Sequence, residues 1–344
     1  MKRFLGCLVL LGGLCALSAT GWAWWTWTRF LEPFPGTAVE SQGPVEIEVP
    51  PGASALRIYS ILEAEGVIAD ARLARVFHRF VLDDAPLKAG EYRFERPLTP
   101  EAAFAKLVDG DVILEQVTII EGLTMMETAE LLANNGFGDH DELLRLMSDP
   151  APIRDLDAQA TNLEGYLFPD TYSFPRRRTE REVVDAVIAN FRRQAADLLG
   201  GRDVRRMVTL ASIVEKEATL DEERPLIAGV YANRLRRGEG LYADPTIIYG
   251  LKLEGTWDGN LRRADLRRDG PYNTYVRSGL PPSPICSPGR ASLEAAAAPA
   301  DVPYLFFVSR NDGSHVFAET LQEHNRNVNQ WQRRYWQERR RQQR

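Results

Sequence analysis

Two glutamates separated by one residue, in the segment Leu210-Ala-Ser-Ile-Val-Glu-Lys-Glu217, are the side chains best placed to do chemistry. Read as a helix over 204–218, the segment gathers Val204, Met207, Val208, Leu210, Ala211, Val214 and Ala218 on one apolar arc. Glu215 projects inside that arc. Glu217 falls just outside its opposite edge, and Lys216 points away. A carboxyl on an apolar face is costly unless it is paired or neutral. Desolvation would raise its pKa and keep it protonated near neutral pH, which is the state a general acid needs. A salt-bridged structural glutamate satisfies the same periodicity. Periodicity alone leaves both readings open for Glu215, with Glu217 as its neighbour.

Other reactive side chains form weaker patterns. His315, Glu319 and His324 follow no helical zinc spacing, so no metal is expected. Cys286 sits between Pro284 and Pro288 with no base partner in sight, and reads as a small packed side chain. A Schiff-base role for Lys216 would need a cytosolic cofactor in an exported chain, so no cofactor is expected. The net charge is -6, which argues against general nucleic-acid binding, because phosphate contacts need concentrated basic surface.

The elements that must position these residues are partly legible. Val45-Glu-Ile-Glu-Val49 alternates as a strand. Gly52 turns the chain, Ser54 caps a helix and Gly66 closes it. The unit recurs after Val117-Thr-Ile-Ile, where Gly122 matches Gly52, Thr124 matches Ser54, Leu132 matches Leu62 and Gly136 matches Gly66. Gly90 to Phe94 reads as a strand, and Pro100 to Val108 as a helix capped by Thr99. Residues 151–162 read as irregular. Helices are expected over Glu180 to Leu199, Val204 to Ala218 and Glu222 to Leu235. Tyr242 to Pro299, rich in Gly, Pro, Asp and Asn, reads as long binding loops. Tyr304 to Val308 reads as a buried strand that pairs with His315-Val-Phe317 through a turn at Asn311 to Ser314.

The N-terminus carries the clearest signal. Lys2 and Arg3 precede an uncharged stretch from Phe4 to Thr28, roughly enough to cross a ~30 Å hydrocarbon core. Trp22, Trp24, Trp25 and Trp27 crowd its far end, as indoles do at a membrane interface. Positive charge at Lys2 and Arg3 keeps that end cytoplasmic and exports the rest. A cleaved signal peptide is the competing reading, and its usual ~7–15-residue apolar core is shorter than this run. Beyond this stretch only Cys286 remains, so the exported part has no internal disulfide.

Several segments, in order, resemble the endolytic murein transglycosylases, the YceG-like family. They are the Glu121-Gly-Leu-Thr124 turn, Leu163-Glu-Gly-Tyr-Leu-Phe-Pro-Asp-Thr-Tyr172, the Leu210 to Glu217 segment, Ala243-Asp-Pro-Thr-Ile-Ile-Tyr-Gly250, Tyr272-Asn-Thr-Tyr275, Gly279-Leu-Pro-Pro282 and Pro303 to Val308. One departure is Ala218, where many relatives carry Thr. The resemblance implies an α+β protein with a single-pass anchor, a LysM-like subdomain and a catalytic domain. It implies cleavage of the MurNAc–GlcNAc bond in nascent peptidoglycan strands to leave 1,6-anhydro-MurNAc ends, with Glu215 as catalytic residue. Partners would be glycan strands, the bacterial inner membrane and peptidoglycan synthases, with the domains periplasmic. A non-catalytic peptidoglycan-binding scaffold and a hydrolytic muramidase are the alternatives. The expected sugar wall comprises Asn273, Tyr275, Tyr272, Asp244 and Tyr249, since aromatic faces pack on pyranose rings and polar groups bond hydroxyls. Glu164, Asp170 and Tyr172 are expected to brace the site. The organisation expected is a cytoplasmic end at 1–3, an anchor at 4–28, a linker at 29–44, strand-helix modules including the LysM-like one at 45–160, a catalytic domain at 161–334 and a basic tail at 335–344.

Overall fold

The computed structural model describes residues 2–34 and 43–334, with side chains from residue 17 onward. The basic tail, half of the linker and the side chains of the first half of the expected anchor lie outside the described residues. Helix α1 spans Lys2–Leu31. Among the described residues, no helix is long and apolar enough to cross a membrane. The protein is mixed α+β, with three separate two-stranded sheets among the described residues.

Two compact units emerge. One is Met1–Glu115 with Ser173–Arg177, the other Gln116–Tyr172 with Arg178–Arg344. The first division along the chain falls at 115/116. In the first unit, β1 (Val45–Val49) pairs antiparallel with β2 (Gly90–Phe94), Ile47 opposite Tyr92. Ile47, Val49, Tyr92 and Phe94 turn inward under α2 (Ala55–Ala64) and α3 (Ala71–Phe80), while Glu46 and Glu48 face out. Helix α4 (Pro100–Asp109) adds Phe104 and Leu107 to this core, and its cap is Thr99 as expected. Trp27 and Phe30 of α1 pack on Phe77.

The repeated unit is borne out in detail. β3 (Leu114–Ile119) leads through Gly122 at φ +78° into α5 (Met125–Asn134), as β1 leads through Gly52 at φ +74° into α2. Both helices close the same way, Val67 N–H donating to Leu62 and Phe137 N–H to Leu132, around Gly66 and Gly136 in the left-handed region. A second capped helix follows each, α3 after Asp70 and α6 (His140–Met147) after Asp139. Sequence reading missed both. β3 then pairs with β4 (Asp170–Pro175), and the unit boundary falls inside these two strands.

The rest of the second unit is largely helical. α7 (Glu180–Gln194) stops early, because Ala195 leaves helical geometry before the short α8 (Ala196–Leu199). Asp203 caps α9 (Val204–Glu217), which is central. α10 (Arg224–Arg237) starts two residues late, at the Pro225 position that fixes a helical first turn. The expected long loops contain α11 (Asp244–Leu253) and α12 (Arg290–Ala297). The closing hairpin of β5 (Phe306–Ser309) and β6 (His315–Ala318) forms as read, with Asn311 and Gly313 at positive φ in its turn. Its strand β5 is half-buried, not buried. α13 (Leu321–Val328) ends the described fold apart from one further turn.

One expectation about α9 fails in an informative way. Its middle is buried all round, with Thr209, Ser212 and Ile213 as inaccessible as the apolar arc. Helices α10, α11 and α12 pack against it. Exposed positions on α9 lie toward its ends, at Arg206 and Lys216.

Candidate active site

The two glutamates at the end of α9 meet different surroundings. Glu215 is tied on both oxygens. Its Oε1 lies 3.2 Å from Arg224 Nη2, and its Oε2 accepts the Gly289 N–H at 3.0 Å. Arg224 also donates to Ser292 and Asp221, and the Glu215 and Arg224 side chains are only 6% and 7% exposed. Glu215 is therefore a paired, buried carboxyl, the salt-bridged arrangement that its periodicity also allows. Glu121 lies in the same neighbourhood. Burial, then the charge of Glu215, raises its pKa against the pull of Arg224. Lys216 donates to the Gly122 carbonyl at 3.1 Å.

Glu217, the last residue of α9, faces a cleft of about 500 Å³, within the range of small-molecule sites. Among the described residues it accepts one recorded hydrogen bond, from Tyr231 Oη at 3.2 Å. Burial pushes its pKa up to about 7. The Tyr231 bond opposes that shift, and the charge of Asp244 adds to it. A carboxyl raised this far keeps its proton into the neutral range, which is the condition of a general acid.

The opposite wall is built by two segments knitted together. Asp244 opens α11, and its Oδ1 accepts from Tyr275 Oη at 2.7 Å. Thr274 holds the two segments in register. Its Oγ1 accepts the Ala243 N–H at 3.1 Å and bonds Thr246 at 3.0 Å, and its carbonyl accepts the Tyr242 N–H. Tyr242 packs 5.2 Å from the Tyr275 ring at φ +55°, a left-handed conformation that costs a bulky residue energy and clusters at functional sites. The Arg234 guanidinium lies 4.9 Å from both the Tyr242 and Phe306 rings and donates to the carbonyls of Leu305, Gly240 and Leu241. Burial lowers its pKa. Tyr231 and Arg234, at i and i+3 on α10, thus present one face to the cleft.

Of the expected sugar wall, Asp244 and Tyr275 line this cleft and the other three do not. Asn273 is a loop brace: its amide donates to the carbonyls of Asp265 and Arg268, and its Oδ1 accepts the Tyr275 N–H. Tyr249 is buried, its hydroxyl donating to Glu164 at 2.9 Å, and Tyr272 packs edge-on to it while bonding Ser283. Glu164 also accepts the Met125 N–H, and burial pushes its pKa up to about 7. It braces the turn that starts α5 and borders a second cavity of about 300 Å³. Asp170 and Tyr172 form a network with Asn190 of α7. His315 is held by Glu223 through both its backbone N–H and its ring. Among the described residues no three metal-ligating side chains gather. Cys286 is buried, its Sγ 3.2 Å from the Ser212 carbonyl, and burial drives its thiol pKa up.

The residues missed from sequence are Tyr231, Arg234, Tyr242 and Phe306 on the cleft wall, and His324, weighed only as a metal ligand, joins them there. They come from four separate parts of the chain, and only the Tyr231/Arg234 spacing offers a local signal.

Comparison with known proteins agrees with this architecture. The YceG-like family model matches residues 47–330. An endolytic murein transglycosylase of Bacillus subtilis is 31% identical over 308 residues, 83% of this chain and 84% of that protein. One from Streptococcus pneumoniae is 28% identical over 323 residues, and this match spans 58% of that longer protein. The crystal structure of a putative yceG-like protein from Listeria monocytogenes superposes with a TM-score of 0.55 at 30% identity, covering 83% of this chain and 99% of that one.

Proposed function

This chain belongs to the YceG-like family, and from that premise we propose that it is an endolytic murein transglycosylase whose acid is Glu217. The observation that carries the residue assignment is a carboxyl with a pKa near 7 on the wall of an aromatic cleft. Glu215, the acid expected from sequence, is committed to Arg224 and Gly289.

A single carboxyl suffices for the lytic reaction. Glu217 protonates the glycosidic oxygen between MurNAc and GlcNAc as the C1–O bond breaks, and positive charge develops on MurNAc C1. The Glu217 carboxylate then takes the proton of the MurNAc 6-hydroxyl, whose oxygen closes on C1. The product is a 1,6-anhydro ring, and the carboxyl ends protonated as it began. Asp244, held by Tyr275, supplies negative charge near the developing cation. A two-carboxylate glycosidase would instead use its second group as nucleophile or to activate water.

The substrate is the nascent glycan strand, and the cut limits strand elongation. The catalytic work belongs to the unit Gln116–Tyr172 with Arg178–Arg344, which holds every residue named above. The β1–α2–α3–β2 order of the first unit supports its reading as a LysM-like subdomain. The uncharged run from Phe4 to Thr28 supports a single-pass inner-membrane anchor with the domains periplasmic, and Trp22, Trp24 and Trp25 are exposed as an interfacial belt would be. Peptidoglycan synthases are the natural partners for an enzyme acting on new strands.

The test is digestion of purified strands read by mass spectrometry. Products one water lighter than hydrolytic ones are expected, with Glu217→Gln inactive and Glu215→Gln active per folded molecule. Reducing MurNAc ends would mean hydrolysis, and unchanged strands would mean a scaffold. Activity lost in Glu215→Gln but kept in Glu217→Gln would return the acid to Glu215.

A further inference from the structure

His324 takes no part in the chemistry above, yet it lines the cleft that holds Glu217. Its ring stacks on Phe306 at 5.2 Å and 27°, and its buried Nδ1 has no hydrogen-bond partner among the described residues. A proton on Nδ1 would bury an N–H with nothing to accept it. The proton therefore belongs on Nε2, which leaves that nitrogen as a donor. The ring stays neutral, since burial and the nearby Arg234 charge both lower its pKa. Leu321, one turn earlier on α13, lines the same cleft with 58% of its surface exposed. Phe306 lines it as well. A neutral donor beside an apolar surface complements one group of an aminosugar strand. That group is the acetamido substituent, with a carbonyl acceptor next to a methyl.

We propose that His324, Phe306 and Leu321 form an acetamido-binding corner of the cleft, in which Nε2–H donates to the carbonyl and the methyl packs on the Phe306 and Leu321 side chains. This rests on the reading of the cleft as the glycan site and adds the substituent it selects. A polar pocket rejects an analogue lacking its partner far more strongly than an apolar one does, so the corner predicts discrimination by N-acetylation.

The experiment compares the full chain on N-acetylated strands and on the same strands chemically de-N-acetylated. Wild type is expected to prefer the acetylated strands by about tenfold or more in kcat/KM. His324→Phe keeps the ring stack and removes the donor, so it should lower kcat/KM on acetylated strands and shrink the preference to about twofold. His324→Gln restores a donor and should recover part of it. A His324→Phe enzyme with wild-type preference overturns the proposal. Should that variant fail to fold, Leu321→Ser at an already exposed position must narrow the preference, and an unchanged preference overturns the proposal equally. Strand binding by the Glu217→Gln protein reads the corner without turnover. Loss of acetyl preference there, with Glu217→Gln still inactive, would sink the corner alone. A fully active Glu217→Gln would sink the catalytic reading instead.

Discussion

Glu215 and Glu217 stand two residues apart on α9 and answer to different neighbours. Burial raises the proton affinity of Glu217, so the acid form proposed to begin the reaction is lost as pH rises through about 7. The alkaline limb of kcat/KM should have its midpoint near that pH and fall about tenfold per further unit, as initial rates on soluble strands would record. Glu215 predicts a different effect. Truncation to Ala leaves the Arg224 guanidinium without its inner partner. Breaking a buried pair costs about 3–5 kcal/mol, and the loss here should fall toward the lower end, because Asp221 and Ser292 remain bound to Arg224. Urea titration would measure it. A midpoint unchanged from wild type would contradict the structural role given to this pair.

The elements around α9 explain what sequence reading could see and what it could not. Capped helices were legible, because Thr99, Ser54 and Thr124 announce their own starts. The repeat was legible because glycines at fixed offsets mark left-handed positions. α11 and α12 were hidden by flanking Pro and Gly, and neither has a side-chain cap. Periodicity singles out Glu215, and the proposal above moves the acid to Glu217, its neighbour at the end of α9. A one-face reading assumes a solvent side along the whole helix, and the middle of α9 is enclosed all round. The Leu163 to Tyr172 segment shows how tightly this enclosure is built. Gly165 has φ +88°, and a Cβ there would lie 2.4 Å from Pro284 Cβ and 3.0 Å from a Val208 methyl carbon on α9. Gly165→Ala is expected to cost about 2–3 kcal/mol, beyond the strain of positive φ alone, read as a lower thermal midpoint. An unchanged midpoint would mean that the loop can move away from α9.

For the molecule as a whole, two buried carboxyls of the second unit set a pH trend in stability. Glu164 and Glu217 both have pKa values of about 7, against an ordinary 4.5. The folded chain holds protons there that the unfolded chain releases above about 4.5. Stability should therefore fall as pH climbs from about 5 to about 7 and level off beyond, and Glu164→Gln should remove part of that slope in calorimetry. A flat profile in wild type would show these carboxyls to be solvated. The same interior carries one more consequence, through Cys286. Its thiol is packed against the backbone of α9, with its thiolate disfavoured, and it is free of any disulfide among the described residues. A maleimide or disulfide reagent can reach it only when that region opens. With Cys7 and Cys15 replaced by Ser, the labelling rate under native conditions would act as a clock of local opening, timing how often the catalytic interior breathes.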